Sequence, residues 1–277
     1  MNRDSDMDDY FIKRGTPRNS SLEGEAAALL WLGEAKAEGG MPVAEVVSVG
    51  PTELVERRIA IGPPSAGAAE RAGSALAVTH ASGAPWWGSP PPGWSGPYLI
   101  GASATPTVPE GVALASWGAF FAEWRIMPYL RQARDAGSVS RAEATVFERV
   151  ASRLSNGDYD APQPGLLAAS GIEVARIHGD LWSGNLLWDA DPGNAVGAVL
   201  IDPMAHGGHA ETDLAMLALF GCPFLDRLIA AYDEASPLAE DWRDRVRLHQ
   251  LAPLLHHCAL FGRAYTAEAL EAARAYA

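Results

Sequence analysis

Apolar residues recur along this chain in two periods, one suited to strands and one to helices. Residues 10–13 form a short apolar run that predicts a strand carrying Lys13. Ser20 and Glu23 match a capping box that opens a helix over 22–38, closed by Gly39 and Gly40. Residues 43–49 and 54–59 read as two further strands with Gly50 and Pro51 as their turn, and Pro63-Pro64 marks a break. A helix over about 65–80 follows. Residues 81–112 are rich in Gly, Pro, Ser and Trp and show little period, so they predict an ordered loop packed on the larger part of the molecule. Helices are expected at about 114–136 and 140–155, and mostly helix beyond residue 221. The pattern predicts an α+β chain with a small sheet-plus-helix lobe over 1–62 and a larger, mainly helical lobe over 63–277.

Composition narrows the function classes. Hydrophobic residues are 48% and charged residues 20% of 277, an ordinary globular balance. No apolar run approaches the roughly 18 residues of a membrane span, and the acidic start lacks a signal-peptide core, so a cytoplasmic protein without a membrane partner is expected. A formal net charge of −13 would repel a nucleic-acid backbone. It leaves room for one nucleotide held by local cations and a metal. Cys222 and Cys258 read as buried free thiols. Lys13 and Lys36 are the only two lysines, so a lysine inside an apolar strand points to a site that wants a compact charge.

The chemistry concentrates in residues 174–221. A short apolar run leads into His178-Gly179-Asp180-Leu181-Trp182-Ser183-Gly184-Asn185, then come residues 186–188, a turn-rich stretch and the apolar residues 196–201 before Asp202. The turn signal predicts a β-hairpin centred near 193–194, which sets Leu187 opposite Leu200 and Asn185 opposite Asp202. An amide oxygen and a carboxylate meeting at the open end of a hairpin suit Mg²⁺ on nucleotide phosphates. Asp180, on the entering loop, could accept a hydroxyl proton and aim the oxygen at phosphorus.

HGDLWSGN, followed 22 residues after Asp180 by the Asp of LIDP, resembles the catalytic and metal-binding loops of protein-kinase-like phosphotransferases, a set that includes the aminoglycoside and choline kinases. The Trp of that loop, IDPMAHGGHAETDLAMLALFG, WGAFFAEWRIMPYL and HQLAPLLHHCALFG resemble the fructosamine kinase family more narrowly. The resemblance implies a two-lobe kinase-like fold and transfer of a phosphoryl group from ATP, with Mg²⁺, to a sugar hydroxyl of a free or protein-bound ketosamine. It makes Asp180 the catalytic base and Asn185 and Asp202 the metal ligands. Lys13 would contact the nucleotide phosphates, fixed by Glu25. The residues support that pair on their own, since Glu25 shares a helix face with Leu22, Leu29 and Leu32 and an inward carboxylate needs a cation. Residues 54–59, Glu56 among them, would be the hinge strand whose backbone holds the adenine. Trp182 would face the sugar, while His178 and Asp213 would brace the loop.

Other readings compete. The HGD loop also fits a kinase of another small hydroxyl compound, of aminoglycoside or choline type. Only twelve residues precede Lys13 and none is glycine, whereas the family covers the phosphates with a glycine-bearing loop. Either the chain is a piece of a longer product, the expected case, or it is a weak or inactive pseudokinase scaffold. A zinc site at His206, His209 and Asp213 matches no strong metal spacing. Of His256 and His257, adjacent on a helix, at most one faces the core. Trp86, Trp87 and Trp94 are expected to pack rather than to line an entrance.

Overall fold

The structure, a computed structural model, describes residues 9–100 and 103–277. The stretch before Lys13 that lacks glycine therefore falls largely outside the described residues. Strands β1 (Tyr10–Arg14), β2 (Val46–Gly50) and β3 (Glu53–Arg57) form an antiparallel sheet in the order β1-β3-β2, with helix α1 (Leu22–Gly33) and a 3₁₀ turn (Glu34–Glu38) between the first two in sequence. The helical stretch ends at Gly39, whose φ of 90° is the left-handed conformation that glycine adopts without strain.

Two expectations about this region fail for physical reasons. The capping box does not form. Ser21, not Ser20, precedes the helix, and its hydroxyl accepts from the Leu99 amide at 3.1 Å, while Ser20 bridges to Ile100. The strand expected over 43–49 begins only at Val46. Its first residues pair elsewhere: the Ala44 amide donates to the Leu200 carbonyl and the Leu200 amide to the Pro42 carbonyl, both at 2.9 Å. That exchange stitches the sheet to the layer below it.

The rest is mainly helical. Helix α2 (Ala66–Ala81), capped by the Ser65 hydroxyl, is a small-residue helix, and Gly73 lets it close on the chain at Leu228, where a Cβ would stand 2.1 Å from a carbonyl oxygen. The described residues of 81–112 include the paired strands β4 (Tyr98–Ile100) and β5 (Ser103–Thr105). Trp86 and Trp87 pack on the helical core, but Trp94 lies against Gly24 of α1, so the loop reaches both parts of the molecule rather than the larger one alone. None of the three tryptophans lines the cleft beside Asp180 described below.

Helix α3 (Trp117–Phe121) runs through a π turn (Ala122–Ile126) into α4 (Met127–Asp135). Helix α5 (Arg141–Ser155) follows with a complete Ser140–Glu143 capping box. Then come α6 (Gly165–Ala169), β6 (Ala175–Ile177), the hairpin β7 (Leu186–Trp188) and β8 (Ala198–Leu200), and β9 (His206–Gly208), which pairs antiparallel with β6. Helices α7 (Glu211–Leu219), α8 (Leu225–Ala235), α9 (Trp242–His249), α10 (Leu251–Phe261) and α11 (Thr266–Arg274) complete the chain. The larger core is built on α3–α5, α10 and α11 and a second on α2, α7 and α8. Cys258 is buried there, but Cys222, past the end of α7, is only half-buried. No helix among the described residues is long and apolar enough to cross a membrane.

Candidate active site

The loop leaving β6 is fixed from beneath by one carboxylate. Asp213, in the first turn of α7, accepts the His178 amide at 2.7 Å and the Gly179 amide at 3.0 Å. The same carboxylate takes a hydrogen bond from His80 Nε2 at 3.1 Å, and His80 Nδ1 meets the Tyr232 hydroxyl at 2.8 Å. Burial alone would raise the Asp213 pKa, but these donors outweigh it and hold the group below its ordinary range. Gly179 has φ 83°, and a Cβ there would lie 2.3 Å from the Met204 carbonyl oxygen, so only glycine fits. His178 Nδ1 accepts the Asp180 amide at 3.2 Å, which leaves Nε2 to donate to the Ile201 carbonyl at 2.9 Å. His178 thus ties the loop to the strand that ends before Asp202. Burial lowers its pKa and keeps it neutral.

The hairpin forms, displaced by one residue from the expected register. Leu186 faces Leu200, Leu187 faces Val199 and Trp188 faces Ala198. A one-residue slip exchanges the two faces of a strand. The observed register puts Leu186, Trp188, Ala198 and Leu200, all buried, on one face, whereas pairing Leu187 with Leu200 would set a half-buried residue against a core residue. Asn185 is accordingly opposite Ile201, whose amide donates to the Asn185 carbonyl at 3.1 Å. Asp202 stands one residue beyond, with φ 54°.

Asn185 is buried, and its Nδ2 donates to the Asp180 carbonyl at 2.8 Å and to Asp180 Oδ2 at 3.2 Å. With the amide nitrogen spent, Oδ1 remains without a partner among the described residues. That oxygen and the Asp202 carboxylate are hard donors of the kind a divalent cation on phosphate requires. Asp180 is pushed up to about 8 by burial and by the nearby charges of Asp202 and Asp213, against the Asn185 amide.

Across the cleft, Lys13 on β1 is ion-paired to Glu25 on α1 and to Asp202, and its Nζ lies 3.3 Å from Glu56 Oε2. Burial alone would lower the Lys13 pKa, but three carboxylates raise it above its ordinary value. The acids bear the cost of the crowding. Glu25 is pushed up to about 7, chiefly by burial with Lys13 opposing, and burial raises Glu56 too. Glu56 is 3% exposed and its Oε1 has no partner among the described residues. The expectation that residues 54–59 hold a base through the strand backbone is corrected for 54–57. That strand is central in the sheet, paired with β1 on one side and β2 on the other, so its backbone groups are spent. A pocket beside it is lined by Phe11, Ala44, Ile59, Ile61, Leu187 and Ile201 together with Lys13, Glu56, Arg57, Arg58 and Asp202.

On the other side of Asp180 lies a narrow cleft. Its walls include Thr105, Arg125, Tyr129, His206 and His256, none of which the sequence reading assigned to the site. The Thr105 and Tyr129 hydroxyls are 2.5 Å apart, and His256 stacks on Tyr129 with ring centroids 4.5 Å apart. Arg125, in the π turn, is 4% exposed. It donates to the Pro106 and Trp124 carbonyls at 2.9 and 2.8 Å, but its Nε is unpaired and no carboxylate faces it among the described residues. Its helix was legible in sequence; its inward direction follows from the π turn, which no periodicity reveals. Trp182, on the loop after Asp180, is 40% exposed and does not line this cleft.

A second cluster, His209, Glu211 and His249, brings ligand-type atoms within 4.8 Å of one another. Its lone pairs are engaged. Arg245 grips both Glu211 oxygens, at 2.6 and 2.9 Å, and the histidine nitrogens meet Thr212, Glu211 and the Ala161 carbonyl. This is a hydrogen-bonded brace behind the cleft.

Residues 2–276 match the family model described as fructosamine kinase. A probable ketoamine kinase of Synechocystis sp. is 33% identical over 230 residues, 82% of this chain and 68% of that protein. A probable ketoamine kinase of Vibrio vulnificus is 32% identical over 153 residues, but that match spans only 46% of its length. Among solved structures, a protein from Thermobifida fusca YX-ER1 provisionally assigned as a fructosamine-3-kinase superposes with a TM-score of 0.81 at 41% identity, over 96% of this chain and 85% of that one. A gentamicin-bound aminoglycoside phosphotransferase, at 11% identity and a TM-score of 0.57 over 96% of this chain and 87% of that one, shares the fold alone. The chain belongs to the fructosamine kinase family of phosphotransferases, on the α+β protein-kinase-like fold.

Proposed function

We propose that this protein transfers the γ-phosphoryl group of ATP to a sugar hydroxyl of a ketosamine, the 3-hydroxyl of a fructosamine or ribulosamine. The observation that carries the reading is the convergence of Lys13, Asn185 and Asp202 beside Asp180, between two hollows, one lined in part by Lys13 and Asp202 and the other by Asp180. The nucleotide would lie in the pocket at the exit of β3, with its phosphates reaching Lys13, which Glu25 and Glu56 orient. Asn185 Oδ1 and Asp202 would hold Mg²⁺, which supplies charge neutralisation on the phosphates when bound. Asp180 would accept the hydroxyl proton and aim the oxygen. His178 and Asp213 touch no reacting atom in this scheme and keep Asp180 in position. Trp182 and the walls at Thr105, Arg125 and Tyr129 would take the sugar.

A lobe boundary near residues 62–63 follows from the same reading, with the cleft between the lobes. Phosphorylation next to a ketosamine carbonyl destabilises the adduct, so deglycation or ketosamine breakdown in the cytoplasm is the role proposed, on free or protein-bound ketosamines.

The test is ATP turnover with Mg²⁺ and 1-deoxy-1-morpholinofructose, for the wild type and for Asp180→Asn. Turnover that falls by about 10²–10⁴-fold in the variant, with ATP binding retained, supports the reading. A variant as active as the wild type refutes Asp180 as base. Turnover of choline or an aminoglycoside but not of the ketosamine refutes the substrate.

A further inference from the structure

Three arginines are buried among the described residues, and one of them has no acid beside it. Arg176 is paired with Glu34 at 2.9 Å and Arg245 with Glu211 at 2.6 Å. Arg125 has only the Pro106 and Trp124 carbonyls and the Phe120 ring, whose centroid is 4.8 Å from the guanidinium carbon. Both carbonyls are met by Nη1, and the buried Nε has no partner among the described residues. Burial lowers the Arg125 pKa, and the groups that oppose this, Tyr129 and Tyr98, are phenols that are neutral at pH 7. The side chain keeps its charge all the same, because a guanidinium does not deprotonate in a protein. A buried cation without an anion is costly, and such a charge is expected where an anion arrives from outside.

The cleft says which molecule brings it. Arg125 and Asp180 line the same narrow cleft, whereas Arg125 does not line the pocket of Lys13 and Asp202. The anion therefore belongs to the acceptor rather than to the nucleotide. Tyr129 is reached by both charges: burial raises its pKa, Arg125 opposes this and Asp180 adds to it. The two acids that line the cleft are engaged elsewhere, Asp213 by the loop amides and Asp180 by Asn185. A second nitrogen of the same wall, Nε2 of His256, is also buried without a partner among the described residues. The planar fork of a guanidinium matches a carboxylate or a phosphate. In a chain of net charge −13 an anionic acceptor would otherwise be disfavoured, so a lone buried guanidinium beside Asp180 is the feature that selects one.

We propose that Arg125 binds an oxyanion carried by the acceptor, so that the preferred ketosamine is itself anionic, through the carboxylate of an amino acid or a phosphate on the sugar. This rests on the ketosamine reading above and deepens it by naming the substrate class.

The experiment compares kcat/KM within two pairs of acceptors. One pair is N-(1-deoxyfructosyl)glycine and its amide; the other is 1-deoxy-1-morpholinofructose 6-phosphate and the unphosphorylated compound. The wild type is expected to favour the anionic member of one pair by about 10–100-fold, through KM, the range of a hydrogen bond between charged groups. The pair that shows it tells carboxylate from phosphate. In Arg125→Gln the ratio is expected to fall to one or below, with the neutral acceptors little changed. Thermal denaturation checks that the variant folds. Should it not, Arg125→Lys, which keeps the charge without the fork, is expected to lower the ratio by at least threefold. Equal or lower kcat/KM for both anionic acceptors in the wild type overturns the proposal without any variant. A preference that survives substitution overturns it too. Equal losses on neutral and anionic acceptors would assign Arg125 to the fold or to the transferred group, and would also overturn it. If neither morpholinofructose nor any other ketosamine is turned over, the ketosamine reading falls and this one with it; if the neutral compounds are turned over without an anionic preference, only the role of Arg125 falls.

Discussion

The ammonium of Lys13 is bonded directly to the carboxylate of Asp202, although 189 residues separate them in the chain. In the proposed reaction both are needed elsewhere, Lys13 on phosphate and Asp202 on metal, so nucleotide binding must part them. What then keeps Lys13 aimed is the pair of acids behind it. Glu25 is bonded to the ammonium directly, whereas Glu56 reaches it at 3.3 Å with one oxygen unpaired. A hydrogen bond to a charged group contributes about 1.5–3 kcal/mol, which is roughly 10–100-fold in rate. Glu25→Gln is therefore expected to lower kcat/KM for ATP by about that factor and Glu56→Gln by distinctly less. Steady-state kinetics with ATP varied would show this, and the reverse order would assign the orienting role to Glu56.

The Asp213 carboxylate accepts two successive amides, of His178 and Gly179, and both of its oxygens are used. An amide in its place offers one acceptor oxygen and points N–H groups at a donor. Asp213→Asn should cost about 1–3 kcal/mol of stability, seen as a lowered Tm. It should also displace Asp180, where a shift of about 1 Å can cost roughly 10²-fold in kcat. A variant with reduced Tm and wild-type kcat would show that the brace serves the fold alone.

His256 stacks on Tyr129 with an unpaired, buried Nε2, and burial pushes its pKa down to about 4. In the unfolded chain its pKa is about 6.5. Between those values the unfolded state binds the proton and the folded state does not, so stability is lost as pH falls from about 6.5 toward 4. Asp180 and Glu25, raised by burial, act in the opposite direction, and the whole-protein curve mixes the two. The difference between wild type and His256→Phe isolates the histidine, since phenylalanine preserves the stack and cannot be protonated. The variant's advantage should grow by about 1.4 kcal/mol per pH unit below 6.5. Urea unfolding at pH 7.5, 6 and 5 would measure it, and a pH-independent difference would contradict a neutral buried His256.

Local signals in the sequence carried most of the frame. The helices, the existence of the hairpin, and the loop around Asp180 and Asn185 depend on neighbours in the chain, through periodicity, turn residues and spacing. The misread features depend on distant partners. Ser20 did not cap because it pairs with Ile100, from another segment, and the residue at the cap position, Ser21, is engaged by Leu99. Residues 43–44 did not join the sheet because Leu200 paired with that stretch. The hairpin register was set by which residues face the core, not by the symmetry of the turn. Arg125, Tyr129 and His80 escaped the site for the same reason, because nothing near them in sequence announces the cleft or the Asp213 carboxylate.

Arg245 separates a structural brace from a metal centre. Its guanidinium donates to both oxygens of Glu211 and reaches Asp241 at 2.7 Å, and Glu211, despite a burial that would raise it, is held down to about 2 by donors that include His249 and Arg245. A carboxylate so fully engaged has little to offer a cation, and a metal there would have to displace an arginine. Treatment with a chelator should therefore leave the Tm of the nucleotide-free protein unchanged, and added zinc should not raise it. Removing the guanidinium leaves Glu211 charged, buried and partly unpaired. Arg245→Met is expected to destabilise by about 3–5 kcal/mol, the usual cost of breaking one side of a buried ion pair. His249 and Thr212 also border the acceptor cleft, so a milder replacement, Arg245→Lys, should raise the acceptor KM before it abolishes folding. A chelator that lowered the wild-type Tm would reverse the assignment, making His209, Glu211 and His249 metal ligands and Arg245 a bystander.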